Sequence, residues 1–193
     1  MTDSLPAIVA LTGPKGSGKT TLARLLCQYH GYSRLPFAEL IKSMLHALLH
    51  DAGFSPVKID DMLNGDLKET PIPELCNHTP RHAMQTLGTE WRDLLGTNLW
   101  TNLWQARWQT RRYSLAVVDD LRFPHEALMI RDLGGKIIRL QRPSTNAPSS
   151  SDPHPSENTF DSIIPDLIIP NLRHPKDLLE LFDEHFQVMK SLT

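Results

Sequence analysis

Apolar positions along this chain alternate between two rhythms, and the alternation predicts the fold class. Residues 7–12 (Ala-Ile-Val-Ala-Leu-Thr) form a continuous apolar run with β-branched members, as expected of a strand buried on both faces of a parallel sheet. A glycine-rich turn follows. Leu22, Leu25, Leu26 and Tyr29 then recur at helical spacing up to Gly31. Residues 37–52 repeat that period with Phe37, Leu40, Ile41, Met44, Leu45 and Leu48. Residues 53–80, broken by Pro56, Gly65, Pro71, Pro73 and Pro80, read as an irregular, mobile excursion. Thr79 and Pro80 read as the N-cap and first position of a further helix, which carries Met84, Leu87, Trp91 and Leu94.

Helical spacing continues over 98–110, where Trp100, Trp104 and Trp108 lie one turn apart. That stripe suits a packed helix face better than a platform for stacked bases. Leu115–Asp119 is a second core-type strand, and Pro124 opens a helix ending at Gly134-Gly135. Lys136–Leu140 and Leu167–Ile169 are further strands. A last helix from Pro175 buries Leu178, Leu181, Phe182, Phe186 and Met189. Strands alternating with helices predict an α/β layered fold on a mainly parallel sheet. Residues 143–159 are rich in Pro and Ser and nearly free of large apolar groups, a composition that cannot offset its own ordering entropy. They read as a linker or as a lid over substrate, and the neighbouring Arg139 and Arg142 favour the lid.

Composition narrows the class. The 193 residues fit one domain with inserted lobes, and 20 Lys and Arg against 22 Asp and Glu leave a formal charge of −2. No cationic field for nucleic acid results. No apolar run approaches the ~20 residues of a bilayer span, and the first residues, MTDSLP, lack the features of a signal peptide, so a cytoplasmic protein without membrane contact is expected. The cysteines, Cys27 and Cys76, form no CxxC and read as structural. His46 with His50, and His78 with His82, have i, i+4 spacing but no third ligand, and read as solvated or packing residues.

The chemistry-bearing signal is Gly13-Pro-Lys15-Gly16-Ser17-Gly18-Lys19-Thr20, a complete G-x-x-x-x-G-K-[ST] between the first strand and its helix. Glycines let successive N–H groups point at phosphate oxygens, and the helix start adds partial positive charge. Lys19 reaches the β- and γ-phosphates, while the Thr20 hydroxyl can ligate Mg²⁺. Thr21 completes the cradle. A second acid near the metal is supplied by Asp119 or Asp120 at the end of the second strand. The base-reading N-K-x-D of GTPases does not occur. Phosphoryl transfer also needs cations, and Lys15, Arg34, Lys42, Arg81, Arg92, Arg122, Arg139 and Arg142 are the candidates.

Three further stretches carry a resemblance: Thr79-Pro80-Arg81 through Gln85-Thr-Leu-Gly-Thr-Glu-Trp91, Val118-Asp-Asp-Leu-Arg-Phe-Pro-His-Glu126, and His154-Pro-Ser-Glu157. With the phosphate loop and the Phe37-to-Lys42 stretch, they make the chain similar to the deoxynucleoside monophosphate kinases of bacteriophages. More loosely it resembles phosphomevalonate kinase and dephospho-coenzyme A kinase.

The resemblance implies a three-layer P-loop kinase fold with a helical acceptor-binding insertion at 36–112 and a lid-like segment at 141–161. It implies transfer of the ATP γ-phosphoryl group, with Mg²⁺, to a (deoxy)nucleoside 5′-monophosphate. Asp120 matches the family's strand-end acid better than Asp119, and Arg122 lies beside the phosphates in transit. Phe37, Lys42, Arg81, Gln85 and Arg92 belong to the acceptor lobe, and Arg139 and Arg142 match lid-edge arginines. Asn171 falls near the adenine. Ser156 and Glu157 read equally as a helix-capping pair or as lid groups meeting substrate. The resemblance also implies a homodimer, in a host cytoplasm if the gene is a phage's. Kinase action on another small phosphorylated metabolite, and a regulatory P-loop ATPase, are the competing readings; a polynucleotide kinase lacks its basic stripe.

Overall fold

Strand β1 (Ile8–Thr12) is buried along its whole length, as its unbroken apolar run requires. Its partners are β3 (Ala116–Val118) on one side and β4 (Lys136–Gln141) on the other. With β2 (Ser33–Arg34) and β5 (Leu167–Pro170) they form one parallel sheet in the order β2-β3-β1-β4-β5. The computed structural model describes residues 5–111, 113–141, 162–171 and 174–190, the side chains of 187–190 excepted. The segment 142–161, with Arg142, Ser156 and Glu157, and the side chain of Met189 lie outside the described residues. Two units are distinguished: Met1–Pro36 with Gln109–Thr193, and Phe37–Trp108.

The first unit has three layers. On one face of the sheet, Leu22 and Leu26 of α1 (Lys19–His30) and Leu178, Phe182 and Phe186 of α7 (Pro175–Lys190) pack on Val9, Leu11, Val117, Ile138 and Leu140. On the other, α6 (Pro124–Asp132) lies against β1 and β4 and buries Ala127 and Ile130. Tyr29, expected on the packed face of α1, is 58% exposed because the sheet accepts only the Leu22–Leu26 stripe.

The second unit is helical, with its own core of Leu45, Leu49, Ile59, Met62, Leu63 and Ile72. Its elements are α2 (Ala38–Asp51), α3 (Pro56–Asn64), short 3-10 turns at Asp66–Glu69 and Pro73–Leu75, α4 (Pro80–Leu95) and the start of α5 (Leu99–Arg111). The expected irregular excursion over 53–80 is thus corrected. Pro56 opens a helix rather than breaking one, because Ser55 accepts a hydrogen bond from the Lys58 N–H and proline at the first helical position loses no bond. Thr79 caps α4 in the same way, accepting from the His82 N–H at 3.0 Å. On α4 the expected packed stripe fades towards the C-terminus. Met84 and Leu87 are half-buried, Trp91 is exposed, and Leu94 is 81% exposed. Trp100 and Trp104 of α5 are buried, and the Trp100 indole donates to the Gly88 carbonyl at 2.8 Å. Trp108, half-buried, stacks on Trp104 with centroids 6.1 Å apart. Among the described residues no helix is long and apolar enough to cross a membrane.

Candidate active site

The loop from Gly13 to Gly18 joins the carboxyl end of the central strand β1 to the first turn of α1. The connection from β1 runs to β2 on one side of the sheet, and the β3–β4 connection crosses β1 to the other, so the loop stands where α/β sheets open their ligand crevice. Gly13 has φ +129°, and a Cβ there would meet the Leu140 carbonyl oxygen at 2.3 Å, so no other residue fits. Gly18 is the N-cap of α1, with φ 101°, no side-chain cap and no acidic residue in the first turn. The leading N–H groups of α1 are therefore left for an anion, with the positive end of the helix dipole behind them.

Four side chains, those of Lys19, Thr20, Arg34 and Asp119, make the hydrogen bonds around this turn. Lys19 Nζ donates to the carbonyls of Gly13 and Pro14 at 2.7 and 2.8 Å, which holds the ammonium over the loop. Thr20 Oγ1 donates to Asp119 Oδ2 at 3.0 Å. Arg34 donates to the same oxygen, from Nε at 3.0 Å and from its Nη2 at 2.9 Å. Asp119 is 4% exposed, and its Oδ1 is buried with no hydrogen-bond partner among the described residues. Thr12 Oγ1 and Ser17 Oγ share that condition. Buried oxygens are bonded in nearly all native structures. Three unanswered ones flanking a phosphate loop mark a place shaped for a bound group.

The resemblance favoured Asp120 as the strand-end acid, and the structure sets Asp119 and Asp120 in different surroundings. The buried Asp119 meets Thr20, while Asp120 is half-buried at the start of the following loop. That loop is clasped by Glu126, whose Oε2 accepts from the N–H groups of Arg122 and Phe123 at 2.9 and 3.0 Å. Burial pushes the Glu126 carboxyl up to about 8, with Asp120 adding to the rise and the two N–H bonds and Arg122 opposing it. The Arg122 side chain is exposed. Burial likewise raises the Cys27 thiol, Arg34 opposing and Asp119 reinforcing.

Arg139, expected at a lid edge, lies within β4 in register with Thr12, and its Nη2 donates to the Ile163 carbonyl at 2.5 Å. Asn171, expected near an adenine, donates through Nδ2 to the Ser17 carbonyl at 2.9 Å. Lys15 is exposed on the loop.

In the helical unit Phe37 is buried against the Trp104 ring, with centroids 5.7 Å apart. Lys42 of α2 donates to Asn64 Oδ1 at 2.6 Å, and Arg81 of α4 pairs with Glu69. Gln85 is half-buried, and Arg92 reaches Asp93 Oδ1 at 3.4 Å. Glu126 was not singled out by the sequence reading, and Arg34 and Asp119 were named there separately but not as a pair. The spacing from Phe123 to Glu126, an N-cap followed at N3 by glutamate, is the signal that could have found Glu126.

The family model for deoxynucleotide monophosphate kinase matches residues 50–181. A protein of Acanthamoeba polyphaga mimivirus, provisionally named a deoxynucleotide monophosphate kinase, is 32% identical over 170 residues, covering 81% of this chain and 83% of its own. A cytidylate kinase of Thermotoga petrophila is 36% identical over 64 residues, 33% of this chain and 29% of its own. Among solved structures, dephospho-CoA kinase from Campylobacter jejuni aligns over 94% of this chain and 96% of its own at 15% identity, with a TM-score of 0.45.

Proposed function

The chain belongs to the deoxynucleotide monophosphate kinase family, and from that premise we propose how its residues perform the transfer. The enzyme is a phosphotransferase that moves the γ-phosphoryl group of ATP onto a nucleoside monophosphate. A phosphate oxygen of the acceptor attacks the γ-phosphorus. The new P–O bond forms as the bridging bond to the β-phosphate breaks, and ADP leaves with the electron pair. The acceptor is already an oxyanion, so no strong general base is needed, and alignment with charge neutralisation carries the catalysis.

The observation that supports this division of roles is the meeting of Thr20 and Asp119 at the uncapped start of α1. The backbone N–H groups from Gly16 to Thr21 and the Lys19 ammonium hold the donor phosphates. The unanswered Asp119 Oδ1 beside the Thr20 hydroxyl is a donor set that suits Mg²⁺. Thr20 and Asp119 would hold that ion, which when bound draws negative charge from the donor phosphates. Arg122, on the loop clasped by Glu126, is the cation assigned beside the group in transit. Phe37, Lys42, Arg81, Gln85 and Arg92, in the helical segment 36–112, are assigned to the acceptor on the resemblance alone.

The test is ADP release from Mg·ATP against a panel of nucleoside and deoxynucleoside monophosphates, with mevalonate 5-phosphate and dephospho-coenzyme A as controls. Rapid turnover on one or more nucleotides is expected. Turnover on a control alone, or ATP hydrolysis indifferent to every acceptor, would overturn the reading.

A further inference from the structure

Asn171 stands at the carboxyl end of β5, its backbone N–H donating to the Gln141 carbonyl at 2.8 Å. That bond fixes where the side chain starts. The carboxamide then reaches across to the phosphate loop, where Nδ2 donates to the Ser17 carbonyl at 2.9 Å. It lies flush on Gly18. A Cβ at position 18 would sit 2.6 Å from Nδ2 and 3.4 Å from Leu178 Cδ1. Glycine at 18 therefore serves both its left-handed φ and this close approach.

The peptide bond is planar and trans, so the Ser17 C=O and the Gly18 N–H point in opposite directions. Holding the carbonyl on Asn171 turns the N–H away from Asn171. The Gly18 N–H has no hydrogen-bond partner among the described residues. One residue later, the Gly18 carbonyl is itself held by the Leu22 N–H at 2.9 Å. With both flanking carbonyls fixed, the Gly18 peptide cannot flip without breaking a bond.

We propose that Asn171 is a positioning residue for the phosphate loop, fixing the Ser17–Gly18 peptide so that the Gly18 N–H is ready for a donor phosphate. This rests on the reading of Gly13–Thr20 as the donor-phosphate site. It differs from an adenine contact in one measurable way: its effect is felt by a ligand that has phosphates and no base.

The experiment is calorimetric titration of the full chain with Mg·ATP and with inorganic tripolyphosphate, for the wild type, Asn171→Ala and Asn171→Asp. The alanine variant is expected to weaken both ligands by the same factor, about three- to tenfold for one lost hydrogen bond. The aspartate variant, of the same shape but presenting a carboxylate to the Ser17 carbonyl, is expected to weaken both further. KM for ATP should rise with KM for the acceptor unchanged. Loss of ATP affinity with tripolyphosphate affinity intact would make Asn171 a base contact and overturn the proposal. A fall in Tm with both affinities intact would make it merely structural and overturn it equally. If alanine prevents folding, the aspartate variant decides by the same comparison. Failure of the wild type to bind tripolyphosphate would remove the phosphate-site reading itself, and the proposal with it.

Discussion

The Thr20 hydroxyl and the Asp119 carboxylate, 99 positions apart in the chain, meet at 3.0 Å. Parallel pairing of β1 with β3 brings them together, because it sets the end of one strand beside the end of the other. Arg34 joins from β2, next to β3, and its guanidinium rests on the oxygen that Thr20 contacts. Asp119→Asn keeps an acceptor for Thr20 but removes the charge. Turnover should fall about a hundredfold or more, and the Mg²⁺ concentration for half-maximal rate should rise. A magnesium titration of the variant's steady-state rate checks both; an unchanged magnesium requirement would exclude Asp119 from the metal.

Lys19 donates to the loop carbonyls of Gly13 and Pro14. Lys19→Ala should reduce turnover at least a hundredfold, as removal of a preorganised charge at the transferring group does, while leaving Tm nearly unchanged. A variant that keeps more than about a tenth of the activity would contradict its role.

Gly13→Ala forces a methyl into the Leu140 carbonyl at a φ that side chains rarely adopt. Destabilisation of about 2–4 kcal/mol is expected, which for a chain of this length is a drop in Tm of roughly 4–16 °C. Thermal unfolding followed by circular dichroism would show it. Gly16→Ala, with open space around its Cβ and only the φ of +77° against it, should lose less.

Glu126 gives a pH dependence of definite sign. Its folded-state value of about 8 lies above the ordinary carboxylate value of 4.5, so the folded chain binds a proton that the unfolded chain has released. The stability this supplies is complete below about 4.5 and is lost as pH rises through about 8. Glu126→Gln keeps an oxygen for the Arg122 and Phe123 N–H groups and cannot ionise. It should match the wild type near pH 5 and exceed it in Tm above pH 8. Parallel Tm profiles for the two proteins between those limits would refute the assignment.

What could be read from the sequence, and what could not, separates along local and non-local lines. The phosphate loop, β1 and α1 were legible because their signals lie within one contiguous stretch, and the parallel sheet followed from the rhythm of the chain. Helix α3 was missed through local chemistry misread: Ser55-Pro56 is a helix start, and proline was counted as a break. Asp119 and Asp120 illustrate a harder limit. Successive residues at a strand end point to opposite faces, and only the register with α1 decides which one meets Thr20. Arg34 is harder still. Its place depends on a two-residue strand pairing Ser33 with Ala116 and Arg34 with Val117, too short to leave a periodic trace. The exposure of Leu94 reflects the same blindness: an amphipathic pattern says which side of a helix is apolar, not how far along it is covered.

The position of β1 in the sheet bears on how the protein is made. Its neighbours are β3 and β4, whose residues leave the ribosome more than a hundred positions after Ile8. The phosphate loop is translated long before the Leu140 carbonyl behind Gly13 and the Asn171 amide beside Gly18. During synthesis β1 is thus an unpaired apolar segment waiting for partners, the condition under which nascent chains recruit chaperones or misassociate.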